Sequence, residues 1–101
     1  MNNRRRRACV AAEFETSDES AKAMIRNVSE SGLFLGTTSI PDVGDCVEVR
    51  FRARDGESAC VSGLVWWNTK AEKETNFTRP PGFGMRLLDD ERDLLELVKC
   101  A

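Results

Sequence analysis

Between residues 47 and 54 the chain alternates with a period of two. Val47, Val49, Phe51 and Ala53 are apolar, and Glu48, Arg50, Arg52 and Arg54 between them are charged. Successive side chains of a strand point to opposite faces, so this is the pattern of a strand with one face on a core and the other in water. The same period sets Val10, Ala12 and Phe14 against Cys9, Ala11 and Glu13. It returns from Ser58 to Trp67, where Ala59, Val61, Gly63, Val65 and Trp67 share one face. Arg54-Asp55-Gly56-Glu57 supplies an Asp-Gly hairpin turn between two of these strands. Ile40-Pro41-Asp42-Val43-Gly44-Asp45 is turn and loop chemistry leading into the strand that begins near Cys46, and Gly82 to Leu88 (GFGMRLL) predicts a last strand. Trp66 and Trp67 are neighbours on a strand, which predicts opposite faces, one ring in the core and one outside.

Two segments depart from this period. Thr69 to Pro81 (TKAEKETNFTRPP) is a long polar interruption and predicts a mobile hairpin loop. Near the end, Leu94, Leu95, Leu97 and Val98 make a wide apolar helical face, with Asp89 or Asp90 as its cap, acids in the first turn and Lys99 in the last. That helix is expected to pack on the strands or cover their open end. Short strands separated by turns at this density predict a closed or nearly closed antiparallel barrel, an arrangement that leaves no exposed edges. The expected fold class is therefore all-β, an antiparallel barrel followed by a C-terminal α-helix.

One break in the alternation carries candidate chemistry. At Asn27-Val-Ser29-Glu-Ser-Gly32-Leu-Phe-Leu35 the apolar alternation stops for four small or polar residues and then resumes. Asn27 and Ser29 bring an amide and a hydroxyl to one side, and Gly32 permits a positive φ or a close backbone approach. Such a bend offers hydrogen-bond donors and acceptors together, although Asn, Ser and Gly are also ordinary turn formers.

Composition narrows the functional classes. A chain of 101 residues with 41% hydrophobic content suits one core. Its net charge of −2 gives no overall attraction to nucleic acid or an anionic membrane, yet Arg4, Arg5, Arg6 and Arg7 are clustered ahead of the first strand. The apolar run behind them, Ala8 to Ala12, is shorter than the ~7–15 residues of a signal-peptide core, and Glu13 ends it. With no export signal and no membrane-insertion segment, a cytoplasmic location is expected, with Cys9, Cys46, Cys60 and Cys100 as free thiols packed like small buried hydrophobes. There is no histidine and no Cys-x-x-Cys pair, so neither a metal site nor a cofactor is expected, and no base stands beside a candidate nucleophile. The chain reads as a binding protein, not an enzyme.

The arginine cluster and the bend together resemble the PilZ domain family, bacterial receptors for the second messenger cyclic di-GMP. Its second motif, Asp/Asn-x-Ser-x-x-Gly, is matched by Asn27, Ser29 and Gly32, followed by Leu33-Phe34-Leu35. Ile40-Pro-x-x-Gly44, Gly63-Leu-Val-Trp66 and Gly82-Phe-Gly-Met-Arg-Leu add to the likeness, which covers the chain from Arg4 onward. The first motif, Arg-x-x-x-Arg, departs from the pattern: with Arg7 as its second arginine, position 3 is Asn3, followed by Arg4, Arg5 and Arg6. The resemblance implies a six-stranded barrel over residues 8–101, a flexible basic arm over residues 1–7, and ligand contacts from Arg4, Arg5, Arg7, Asn27, Ser29 and Gly32. It implies a cyclic di-GMP receptor that changes its surface on binding and regulates a protein partner in motility, polysaccharide production or biofilm control. Two other readings remain open at this point: a PilZ-like interaction module that has lost the nucleotide, and a small barrel binding single-stranded nucleic acid. The acidic net charge and few aromatic residues weigh against the latter.

Overall fold

Six strands form in the order their alternation predicts: β1 (Arg6–Glu15), β2 (Ser20–Val28), β3 (Gly32–Gly36), β4 (Cys46–Arg52), β5 (Ser58–Asn68) and β6 (Gly82–Leu87). One helical turn, α1 (Leu94–Leu97), follows. These come from a computed structural model that describes residues 5–70, 81–88 and 93–100. Every strand pairing is antiparallel, and the sheet closes on itself in the order β1-β2-β3-β6-β5-β4, with β4 returning to β1. The barrel therefore has no free edge, as the turn density predicted.

The core is the inward half of each alternation. Phe14, Ile25, Leu35, Val49, Phe83 and Met85 have no exposed surface. Phe14 and Phe83 meet edge to face, with ring centroids 5.1 Å apart and planes at 72°. This is the arrangement that the charge distribution of aromatic rings favours. Among the described residues no polar or charged side chain is fully buried, so the barrel interior depends on apolar packing alone. The outward residues of β4 are accounted for: Arg50 lies 3.4 Å from Glu15 and 3.9 Å from both Glu13 and Glu48, and Arg52 donates to the Gly56 carbonyl at 2.8 Å. These pairs are about half exposed, so each contributes at most about 1 kcal/mol.

The β4–β5 hairpin closes at Asp55-Gly56, where the Ala53 amide donates to the Glu57 carbonyl and Gly56 takes a φ of 92°. On the far side of β5, Thr69 continues the pairing by donating to the Gly82 carbonyl at 3.1 Å, and Lys70 pairs with Asp42 at 2.8 Å. The remainder of the expected polar loop, residues 71–80, lies outside the described residues, as do Asp89 and Asp90.

Three sequence expectations need correction. The cysteines are free thiols, but Cys9, Cys46 and Cys60 are exposed and Cys100 is half-buried. Each of the first three takes an outward position in its strand, and the alternation decides the face whatever the polarity of the residue. The helix is a single turn whose N-cap is Asp93, its carboxylate accepting from the Leu95 amide at 2.9 Å. Lys99 lies beyond its end, since the chain turns extended at Val98. Finally, both tryptophans lie on the outside of the barrel, for a reason that belongs to the candidate site.

α1 closes one end of the barrel. Leu94 and Val98 are fully buried in the core. The Leu94 amide donates to the Glu30 carbonyl at 3.1 Å, the Arg54 amide to the Leu97 carbonyl at 2.9 Å, and Cys100 forms an isolated antiparallel bridge with Ala8. The plug is thus tied to the β2–β3 bend, the β4–β5 hairpin and the start of β1.

Candidate functional site

The β2–β3 bend is closed by its own polar residues. The Ser29 amide donates to the Gly32 carbonyl at 2.9 Å, and the Gly32 amide donates to the Ser29 hydroxyl oxygen at 3.1 Å. Outside the turn, the carbonyls of Glu30 and Ser31 accept from the amides of Leu94 and Leu87. The corner is therefore held from within by Ser29 and from behind by β6 and α1. Gly32 does not adopt a positive φ; what it supplies is the close approach, because a Cβ there would sit 3.0 Å from the Met85 carbonyl oxygen.

β1 brings the arginines to this corner. Pairing of β1 with β2 already includes Arg6 opposite Val28 and Arg7 opposite Asn27, two residues that the sequence reading placed in the arm. Arg7 and Asn27 are thus cross-strand neighbours, whose Cβ atoms typically lie ~4.5–5.5 Å apart. One residue further out, Arg5 lines a cleft of about 220 Å³ together with Asn27, Ser29, Gly32, Phe34, Trp66 and other side chains. Arg7 is not among the lining residues, and Arg4 lies outside the described residues. Of the expected ligand residues, the fold thus gathers Arg5, Asn27, Ser29 and Gly32 around one cleft with Arg7 beside it. The half-buried Asn27 side-chain amide has no hydrogen-bond partner among the described residues, so its donors and acceptor remain available.

The rest of the wall is aromatic, and sequence periodicity missed it. The strand pairings contain three shifts of register: on β1 between Arg7 and Val10, on β2 between Ile25 and Asn27, and on β5 between Val65 and Trp67. All three border the cleft. An extra residue in one strand reverses the alternation beyond it and re-aims the side chains that follow. The extra residue on β5 is Trp66, and beyond it Trp67 points outward, where strict alternation would send it into the core. Trp67 then stacks on Phe34, with centroids 5.4 Å apart and planes 12° from parallel, and Trp66 meets Trp67 edge to face at 6.4 Å. Gly84 lies beneath the indole of Trp67, and a Cβ at that position would collide with the ring. The pair Phe34 and Trp67 is therefore a flat apolar shelf beside a hydrogen-bonding corner. The only signal for it in the sequence was Trp66-Trp67 itself, whose strict alternation was wrong by one residue.

Among the described residues no acidic side chain lines the cleft, while Arg5 and Arg86 do. Arg86 holds its guanidinium carbon 4.8 Å from the centre of a Trp66 ring. A site with cations, uncharged hydrogen-bonding groups and flat rings suits an anion that carries planar bases. Among the described residues no group of three or more His, Cys, Asp or Glu side chains gathers as a metal site would require.

A closed antiparallel barrel with such a cleft on its outer wall defines a ligand-binding module. Residues 1–100 match the PilZ domain family, and the chain belongs to it. PilZ domains are non-catalytic receptor and adaptor modules of bacterial signalling, so this chain is not an enzyme. No curated protein and no solved structure matches the chain significantly. No helix among the described residues is long and apolar enough to cross a membrane.

Proposed function

We propose that the chain is a cytoplasmic receptor for cyclic di-GMP that regulates a protein partner in motility, polysaccharide production or biofilm control. The observation that supports this reading best is the convergence of Arg5 and the Asn27–Gly32 bend on one cleft, which no acid among the described residues lines. A guanidinium forks onto a phosphate or onto the O6 and N7 of guanine, and the Asn27 amide offers complementary donors and an acceptor. The cleft, at about 220 Å³, is smaller than the ~300–1,000 Å³ of sites that engulf a drug-sized ligand. In this reading it holds part of the dinucleotide, and the basic segment ahead of β1 covers the rest. Fixing long arginine side chains on the ligand costs entropy, which charge-assisted hydrogen bonds of ~1.5–3 kcal/mol each offset. The product of binding is an altered surface around the start of β1 and the bend, available to a partner.

A second reading is a PilZ-family interaction module without nucleotide binding. It draws on Asn3 in the first motif and on exposed apolar side chains, Trp66 at 51% and Leu64 at 37% exposure on the outer face of β5. Calorimetric titration of the purified chain with cyclic di-GMP separates the two. Saturable heat at micromolar ligand is expected; a flat trace at high ligand concentration would sink the receptor reading and leave the interaction module.

A further inference from the structure

We infer that Arg86, seated over Trp66, is the second cation of the nucleotide site and supplies from a rigid strand the charge that the arm lacks at Asn3. This rests on the receptor reading above and deepens it.

The placement follows from register. Arg86 lies directly opposite Gly32 in the β3–β6 pairing, and opposite Leu64 in the β5–β6 pairing. Its cross-strand neighbour in the bend is thus the one motif residue without a side chain, so no Cβ from the bend stands between the guanidinium and the cleft. Arg86 is exposed and lines the cleft with Arg5, from the side opposite β1. Among the described residues no carboxylate pairs with it, and its guanidinium carbon lies over the Trp66 ring, 4.8 Å from the ring centre. Stacking on an indole fixes the guanidinium plane while leaving its N–H edges unspent, which favours it for a second, hydrogen-bonded anion.

Charge balance points the same way. A cyclic dinucleotide carries two phosphates, and among the described residues the cleft presents two guanidiniums and no acid. Arg5 lies just ahead of β1, outside the strand pairing, whereas Arg86 sits within β6, paired on both sides. A cation carried by a strand paired on both sides loses less conformational entropy on binding than one carried outside the strand pairing. The ligand would therefore be gripped between one arginine of the arm and one of the barrel wall, in place of two arginines of the arm.

The test is titration with cyclic di-GMP of the full chain and of Arg86→Ala and Arg86→Lys, by calorimetry and by tryptophan emission. Trp66 and Trp67 are the chain's two tryptophans and both line the cleft, so emission reports on this site. Arg86→Ala is expected to weaken binding by about 10- to 100-fold, and Arg86→Lys to restore only part of that, because an ammonium neither forks nor stacks as a guanidinium does. The ratio of parent to Arg86→Ala affinity should shrink as salt rises from about 0.05 to about 0.5 M, which a packing role would not produce. Melting temperatures taken alongside should agree within a few degrees, since the side chain is exposed. If the parent binds and Arg86→Ala binds within about threefold of it, or their ratio is indifferent to salt, this inference is overturned and the receptor reading survives. If the parent gives neither heat nor a change in emission, both fall together.

Discussion

An Arg5→Ala, Asn27→Ala double variant is expected to fold as the parent does and to bind cyclic di-GMP about 10²- to 10⁴-fold more weakly. One side chain comes from the residue ahead of β1 and the other from β2, and they converge on the same cleft. Neither makes a hydrogen bond or ion pair within the described residues, so their removal breaks nothing that holds the barrel. Each deletes a hydrogen bond in which one partner is charged, worth ~1.5–3 kcal/mol, or roughly one to two decades in affinity. Because one contributes charge and the other directional pairing, the losses should add approximately. Calorimetry on the parent, the two single variants and the double variant measures this, with thermal melting as the control for folding. A double variant that binds as tightly as the parent would remove the bend and the arm from any account of recognition.

Phe14→Ala should instead act on the whole molecule, with a loss of about 3–5 kcal/mol of unfolding free energy. The ring is completely buried near the end of β1, where that strand pairs with both β2 and β4. Its removal deletes the edge-to-face contact with Phe83 and leaves a void that surrounding Cβ atoms on a closed barrel cannot collapse to fill. Small domains hold only about 5–15 kcal/mol in total, so the variant should melt far below the parent. Urea denaturation followed by circular dichroism reads the difference. An unfolding free energy within about 0.5 kcal/mol of the parent's would mean that the barrel core is less tightly packed than the ring contacts describe.

Periodicity served well for β4 and β5 because each presents one face to the core and one to water, so alternation and burial carry the same information. The hairpin at Asp55-Gly56 and the barrel closure were legible for the same reason: turn residues and strand pattern agreed. The bend at Asn27–Gly32 was legible as a site only through its resemblance to a family motif, since its composition fits any turn. Trp67 was not legible at all. A register shift is a property of two strands, and nothing in the local pattern of β5 records that Trp66 has no opposite number on β6. The cysteines misled because their usual preference for burial is a statement about averages, and in a two-faced strand it yields to position. The single-turn helix was overextended for a related reason: an apolar face of four residues is compatible with one turn or several, and Asp93 decides where that turn starts.

Since the amide of Leu94 is held by the carbonyl of Glu30, the exchange of that proton with deuterated solvent reports on the bend even though Leu94 does not line the cleft. Opening of this bond requires the plug to lift away from the corner, and any molecule that stiffens the corner raises the free energy of that excursion. Deuterium uptake at Leu94 should therefore slow when the cleft is filled, while amides in the distant Thr16–Glu19 turn keep their rates. The helical turn at the barrel's end would act as a built-in gauge of occupancy, readable without a label.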